Sequence, residues 1–67
     1  MLRIHVNGTP RAVEAGATIA ELVADLGLAG KRLAVELNGE VVPKSRYGST
    51  QFADGDRVEI VGAVGGG

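Results

Sequence analysis

Apolar and polar residues alternate with the period of a β-strand in several stretches of this chain, and in one stretch they repeat at the period of a helix. Leu2, Ile4 and Val6 flank Arg3 and His5, which predicts a half-buried strand. Asn7-Gly8 follows, and because both residue types accept positive φ the pair predicts a two-residue type I′ hairpin. The returning strand is predicted from Pro10 to Glu14, with Pro10 near its start, where a missing N–H is tolerated. Thr18-Ile19-Ala20-Glu21 has capping-box spacing: the Thr hydroxyl can accept from the Glu21 N–H while the Glu side chain reaches back. Ile19, Leu22, Val23 and Leu26 then fall at i, i+3, i+4 and i+7, one apolar helical face. Gly27 suits the left-handed residue that ends a helix, here one of about two turns or slightly more.

A second hairpin is predicted where Leu33, Val35 and Leu37 alternate with Ala34 and Glu36. Asn38-Gly39 repeats the turn chemistry, and Val41-Val42 begin a short strand stopped by Pro43. Lys44 to Phe52 shows no clear period and reads as a loop with room for a short helical turn. Asp54-Gly55-Asp56 is a tight turn, after which Val58 and Ile60 alternate with Arg57, Glu59 and Val61 in a final strand. The order is hairpin, helix, hairpin, loop, strand. One helix must cover one face of a mixed sheet of four to five strands, because neither can bury its apolar side alone. The predicted fold is an α+β roll of the β-grasp, or ubiquitin-like, type over 1–62, with 63–67 as a flexible glycine-rich tail.

Composition narrows the function. A chain of 67 residues forms one domain and buries only about 60% of the surface its unfolded form exposes, which leaves no room for an enclosed catalytic cleft. Tyr47 and Phe52 are its only aromatics, so Val, Leu, Ile and Ala must supply the core. The formal net charge is −1 and the basic residues are scattered, without the clustered Lys and Arg of a nucleic-acid footprint; no nucleic-acid partner is expected. Cysteine is absent, which excludes disulfides, thiolate metal sites and a cysteine nucleophile in this chain. The N-terminal Met1-Leu2-Arg3-Ile4-His5-Val6 has no long apolar signal segment, and no run is long enough to span a bilayer. A cytoplasmic protein without membrane contact, monomeric when free, is the expectation.

The candidate chemistry lies at Gly65-Gly66-Gly67. An arm without Cβ atoms can enter a narrow channel and present an α-carboxylate there. Fully extended, 63–67 would reach roughly 17 Å, enough to enter another protein's active site. The plain alternative is a linker-like end without chemistry. His5 is the only histidine and has no nucleophile beside it, so it reads as a surface strand residue. Asp54, Asp56 and Glu59 offer too few assured oxygens for a cation, and no metal is expected. Asn7 and Asn38 read as turn residues, and Tyr47 and Phe52 as either core edge or docking surface. With no nucleophile–base pair and no phosphate loop, no catalytic residue is assigned and the protein is not expected to be an enzyme by itself.

Taken together, several blocks resemble the ThiS family, the sulfur carriers of thiamine biosynthesis. They are the strand ending Val6-Asn7-Gly8, the capped helix ending Leu26-Gly27-Leu28, Ala34-Val35-Glu36-Leu37-Asn38-Gly39, Val42-Pro43-Lys44-Ser45, Asp54-Gly55-Asp56-Arg57-Val58-Glu59-Ile60-Val61 and the Gly-Gly end. The resemblance covers essentially the whole chain in the family's order. It implies a β-grasp carrier whose terminal carboxylate, on Gly67, is adenylated by a ThiF-like enzyme and converted to a thiocarboxylate. The sulfur would come from a persulfide supplied by a cysteine desulfurase and pass to a ThiG-like thiazole synthase. Mg-ATP would be used by the adenylating partner, with no cofactor on the carrier itself. Gly66 would be needed because a side chain obstructs the partner's channel, and Gly65, a third glycine, would lengthen the arm. Lys44 stands where the family often has Arg, keeping the charge but losing the bidentate guanidinium fork. The alternatives are a carrier resembling the small subunit of molybdopterin synthase, and a non-covalent ubiquitin-like interaction module.

Overall fold

The computed structural model describes residues 1–62. Its elements are β1 (Leu2–Val6), β2 (Thr9–Val13), α1 (Ile19–Asp25), β3 (Leu33–Leu37), β4 (Glu40–Val42), a 3-10 turn (Lys44–Arg46) and β5 (Arg57–Gly62). The strands form one mixed sheet in the order β2-β1-β5-β3-β4. β1 and β2, and β3 and β4, are antiparallel hairpins, while β5 lies between them, parallel to β1 and antiparallel to β3. This is the β-grasp arrangement.

Local chemistry accounts for the turns. Asn7 and Asn38 have φ of 50° and 52°, each followed by a glycine at positive φ, the conformation a type I′ turn requires. β2 begins at Thr9, one residue before the expected start, and Pro10 sits opposite His5 on this edge strand. The edge is where a strand tolerates a missing N–H. Pro43 closes β4 and leads into the 3-10 turn.

The helix is specified at both ends. Thr18 accepts from the Glu21 N–H at 3.3 Å, and the Thr18 N–H donates to Glu21 Oε1 at 2.9 Å, a complete capping box. The Ile19 and Ala20 N–H groups donate to the carbonyls of Thr50 and Tyr47, so the loop supplies the remaining partners of the first turn. At the other end Gly27 adopts φ of 75°; its N–H donates to Ala24 O while the Leu28 N–H donates to Val23 O, the paired bonds of a Schellman motif.

α1 packs Ile19, Leu22 and Val23 onto one sheet face, against Ile4, Val35, Val58 and Ile60. Phe52 is buried in the same cluster, which answers the question its sequence context leaves open: it belongs to the core, alongside the aliphatic residues expected there. Its N–H donates to Ala17 O, drawing the aperiodic loop over the edge of the sheet. Leu26 and Tyr47 are half-buried against the cluster. Among the described residues no helix is long and apolar enough to cross a membrane.

Candidate functional site

β5 is the strand that delivers the glycine tail, and it is held more firmly than its ladder alone requires. Its two neighbours contribute backbone bonds on both sides. In addition, the Asn7 side chain acts as an extra peptide group: Ile60 N–H donates to Asn7 Oδ1 at 2.8 Å, and Asn7 Nδ2 donates to Ile60 O at 3.1 Å. Residue 7 has already turned away from the sheet at positive φ, so its amide continues the β1–β5 pairing after the backbone has left.

Asn38 does the same work at the start of β5. Arg57 N–H donates to Asn38 Oδ1 at 2.9 Å, the Asn38 N–H donates to Arg57 O at 2.7 Å, and Asn38 Nδ2 donates to Asp56 Oδ1 at 3.0 Å. Asp56 Oδ2 in turn accepts from the Ala53 N–H, and Asp54 Oδ1 accepts from the Arg3 N–H. The acidic residues of the 54–56 turn are therefore engaged as hydrogen-bond acceptors of the loop, as their turn chemistry predicts. Among the described residues no cluster of three potential metal ligands occurs.

The sheet face opposite α1 is open. Strand alternation and register place Arg3 and His5 of β1, Arg57, Glu59 and Val61 of β5, and Glu36 of β3 on it. His5 is half-buried there, next to Arg57 across the parallel pair, a strand residue as expected. Val41 and Val61 are 69% and 60% exposed, large values for apolar side chains, and Val61 is the penultimate residue of β5. An apolar surface thus adjoins the root of the tail. Gly65, Gly66 and Gly67, the predicted site, lie outside the described residues. At Gly62, the last described residue, an added Cβ would meet no atom within 4 Å.

The sequence profile of the ThiS family matches residues 4–67. The chain belongs to the ThiS family. The crystal structure of the thiamine biosynthesis protein ThiS from Geobacter metallireducens is similar to it, with a TM-score of 0.82 and 36% identity over 98% of this chain and 100% of that one. The sulfur carrier protein ThiS of Bacillus subtilis is 44% identical over 50 residues, covering 75% of this chain and 76% of its own. A thiazole synthase of Paramagnetospirillum magneticum is 41% identical over 66 residues, 98% of this chain. The present chain spans only 20% of that protein's length.

Sequence reading missed the second role of Asn7 and Asn38. A signal for it exists: both turns use Asn where Gly or Asp would also accept the conformation, and only Asn carries both a donor and an acceptor.

Proposed function

We propose that the protein is a sulfur carrier of thiamine biosynthesis, acting as a protein cosubstrate through the carboxylate of Gly67. The family match, which runs over residues 4–67, is the observation that supports this reading. A carboxylate resists substitution, since its charge is delocalised and oxide is a poor leaving group. An adenylating enzyme using Mg-ATP converts it to an acyl-adenylate with release of pyrophosphate, making AMP the leaving group. The terminal sulfur of a persulfide attacks the acyl carbon and expels AMP. Cleavage of the resulting S–S bond by a thiol leaves the sulfur on Gly67 as a thiocarboxylate, which donates it to a thiazole synthase.

The fold's part is presentation. β5 is bonded on both sides and clasped by Asn7 at Ile60, two residues before Gly62. An arm anchored this close to its root loses less freedom on entering a partner's channel than one on a loose strand. The open sheet face beside it, with exposed Val41 and Val61, supplies a docking surface for the adenylating enzyme. Extension of the chain by one residue after Gly67 tests the role of the carboxylate. The extended protein should fold with an unchanged melting temperature and accept neither AMP nor sulfur; full modification of it would overturn the reading.

A further inference from the structure

The chain has two asparagines, Asn7 and Asn38, and each is followed by a glycine. In an Asn-Gly pair the side-chain amide is open to attack by the next backbone nitrogen, because glycine brings no side chain to obstruct the approach. Gly8 and Gly39 are both exposed, and a Cβ built on either would meet nothing within 4 Å. Both sites thus carry the reactive pair in open surroundings. What separates them is how firmly each asparagine amide is held.

At the first turn the amide is bonded to a buried strand residue. Asn7 Oδ1 accepts from the Ile60 N–H and Asn7 Nδ2 donates to Ile60 O, and both bonds are partly buried. At the second turn Asn38 Oδ1 accepts from the Arg57 N–H and Asn38 Nδ2 donates to Asp56 Oδ1, both in contact with water. Water can take the place of either Asn38 bond, whereas release of Asn7 leaves the Ile60 groups short of partners in a half-dry setting. The flanking strands differ in the same sense. The first hairpin returns through the five-residue β2, the second through the three-residue edge strand β4, whose Glu40 and Val41 are exposed. A short, exposed edge strand opens locally more readily than a longer one.

We infer that Asn38 is a site of covalent ageing, at which the chain deamidates itself ahead of Asn7. In the opened turn the Gly39 nitrogen, having lost its proton to hydroxide, attacks Asn38 Cγ. A bond forms between that nitrogen and Cγ, the Cγ–Nδ2 bond breaks, and Nδ2 takes a proton from water and leaves as ammonia. Water then opens the five-membered succinimide at one of its two carbonyl carbons. Attack at Cγ gives aspartate; attack at the former backbone carbonyl gives isoaspartate, whose main chain runs through Cγ and is longer by one methylene. One water is consumed and one ammonia released, with no oxidant or cofactor. Either product loses the donor that meets Asp56 and adds a carboxylate beside it, so the clasp on the start of β5 opens. The Asn7 clasp at Ile60 stays in place. The inference stands apart from the sulfur-carrier reading.

The test incubates the native full-length chain in mildly alkaline buffer, beside the same chain unfolded in denaturant. Peptide mapping by mass follows the replacement of NH by O at each position, and an isoaspartyl carboxyl methyltransferase detects the isoaspartate product. Unfolded, the two sites should react at similar rates, since each is an Asn-Gly pair after an apolar residue. In the native chain position 38 should react about tenfold faster than position 7, the ratio set by roughly one more partly buried bond to release. Opening that is fast relative to the chemistry makes each rate follow the population of its open turn. Denaturant below the unfolding transition should leave the rate at position 38 nearly unchanged, because a local opening exposes little surface. Equal native rates, or a faster reaction at position 7, would overturn the proposal. So would a native position 38 that stays intact while the unfolded chain is converted, or a rate there that rises in step with global unfolding.

Discussion

The two hairpins use the same turn and hold the same strand, yet in different ways. Asn7-Gly8 and Asn38-Gly39 match within a few degrees of φ. Asn7 bonds both backbone groups of Ile60, towards the end of β5, and these bonds are partly buried. Asn38 bonds the Arg57 N–H and the Asp56 carboxylate at the start of β5, where its side-chain bonds are exposed to water. The central strand is thus clasped at its start by one turn and near its end by the other. Turn residues selected for conformation have become cross-links, and the more protected cross-link is the one nearer the tail.

The largest effect should come from Asn7→Asp. It retains the turn and the acceptor for the Ile60 N–H, but sets an oxygen against the Ile60 carbonyl that Asn7 Nδ2 now serves. A loss of about 2–3 kcal/mol is expected in denaturant unfolding, the cost of a partly buried acceptor left facing a charge. Asn38→Asp sets a carboxylate against Asp56 but in water, and should cost nearer 1 kcal/mol. Equal losses would mean that burial does not separate the two clasps.

Glycine substitutions sharpen the comparison by keeping the turn and removing only the side chain. Asn7→Gly and Asn38→Gly should each cost about 1 kcal/mol, with less than that if the turn was the only contribution. Hydrogen exchange should then quicken selectively at Ile60 in the first variant and at Arg57 in the second. Protection lost evenly along β5 in either would show that the clasps do not act locally.

The smallest effect on stability is expected on the open face. Val61→Ala and Val41→Ala remove exposed methyl groups and should shift stability by no more than about 0.5 kcal/mol. Affinity for the adenylating enzyme should nevertheless fall severalfold, read by titration. Unfolding by either substitution would show that the open face had been assigned to the wrong side of the sheet.

What could be read from the chain before its structure was whatever neighbouring residues decide. Thr18 and Glu21 announce the helix start, Gly27 its end, and the two Asn-Gly pairs their hairpins; all are formed as expected. Strand alternation correctly divided Ile4, Val35, Val58 and Ile60 from Arg3, Glu36 and Glu59. The placement of β5 between β1 and β3 depends on contacts distant in sequence, and no local period encodes it. The same is true of Phe52, buried from within an aperiodic loop by a bond to Ala17 and by packing. Lys44 comes beside the adjacent pair Lys31 and Arg32 only in the fold, and no local pattern encodes that. The glycine run, by contrast, is legible only as sequence, since its proposed chemistry needs the absence of side chains and a carboxylate.

The most direct measurement is the intact mass of the native chain after incubation with its cognate adenylating enzyme, Mg-ATP, a persulfide donor and a thiol. The account predicts a gain equal to one oxygen replaced by one sulfur, localised by fragmentation to Gly67. An unchanged mass, with an adenylating enzyme shown to be active and the terminus intact, would contradict it.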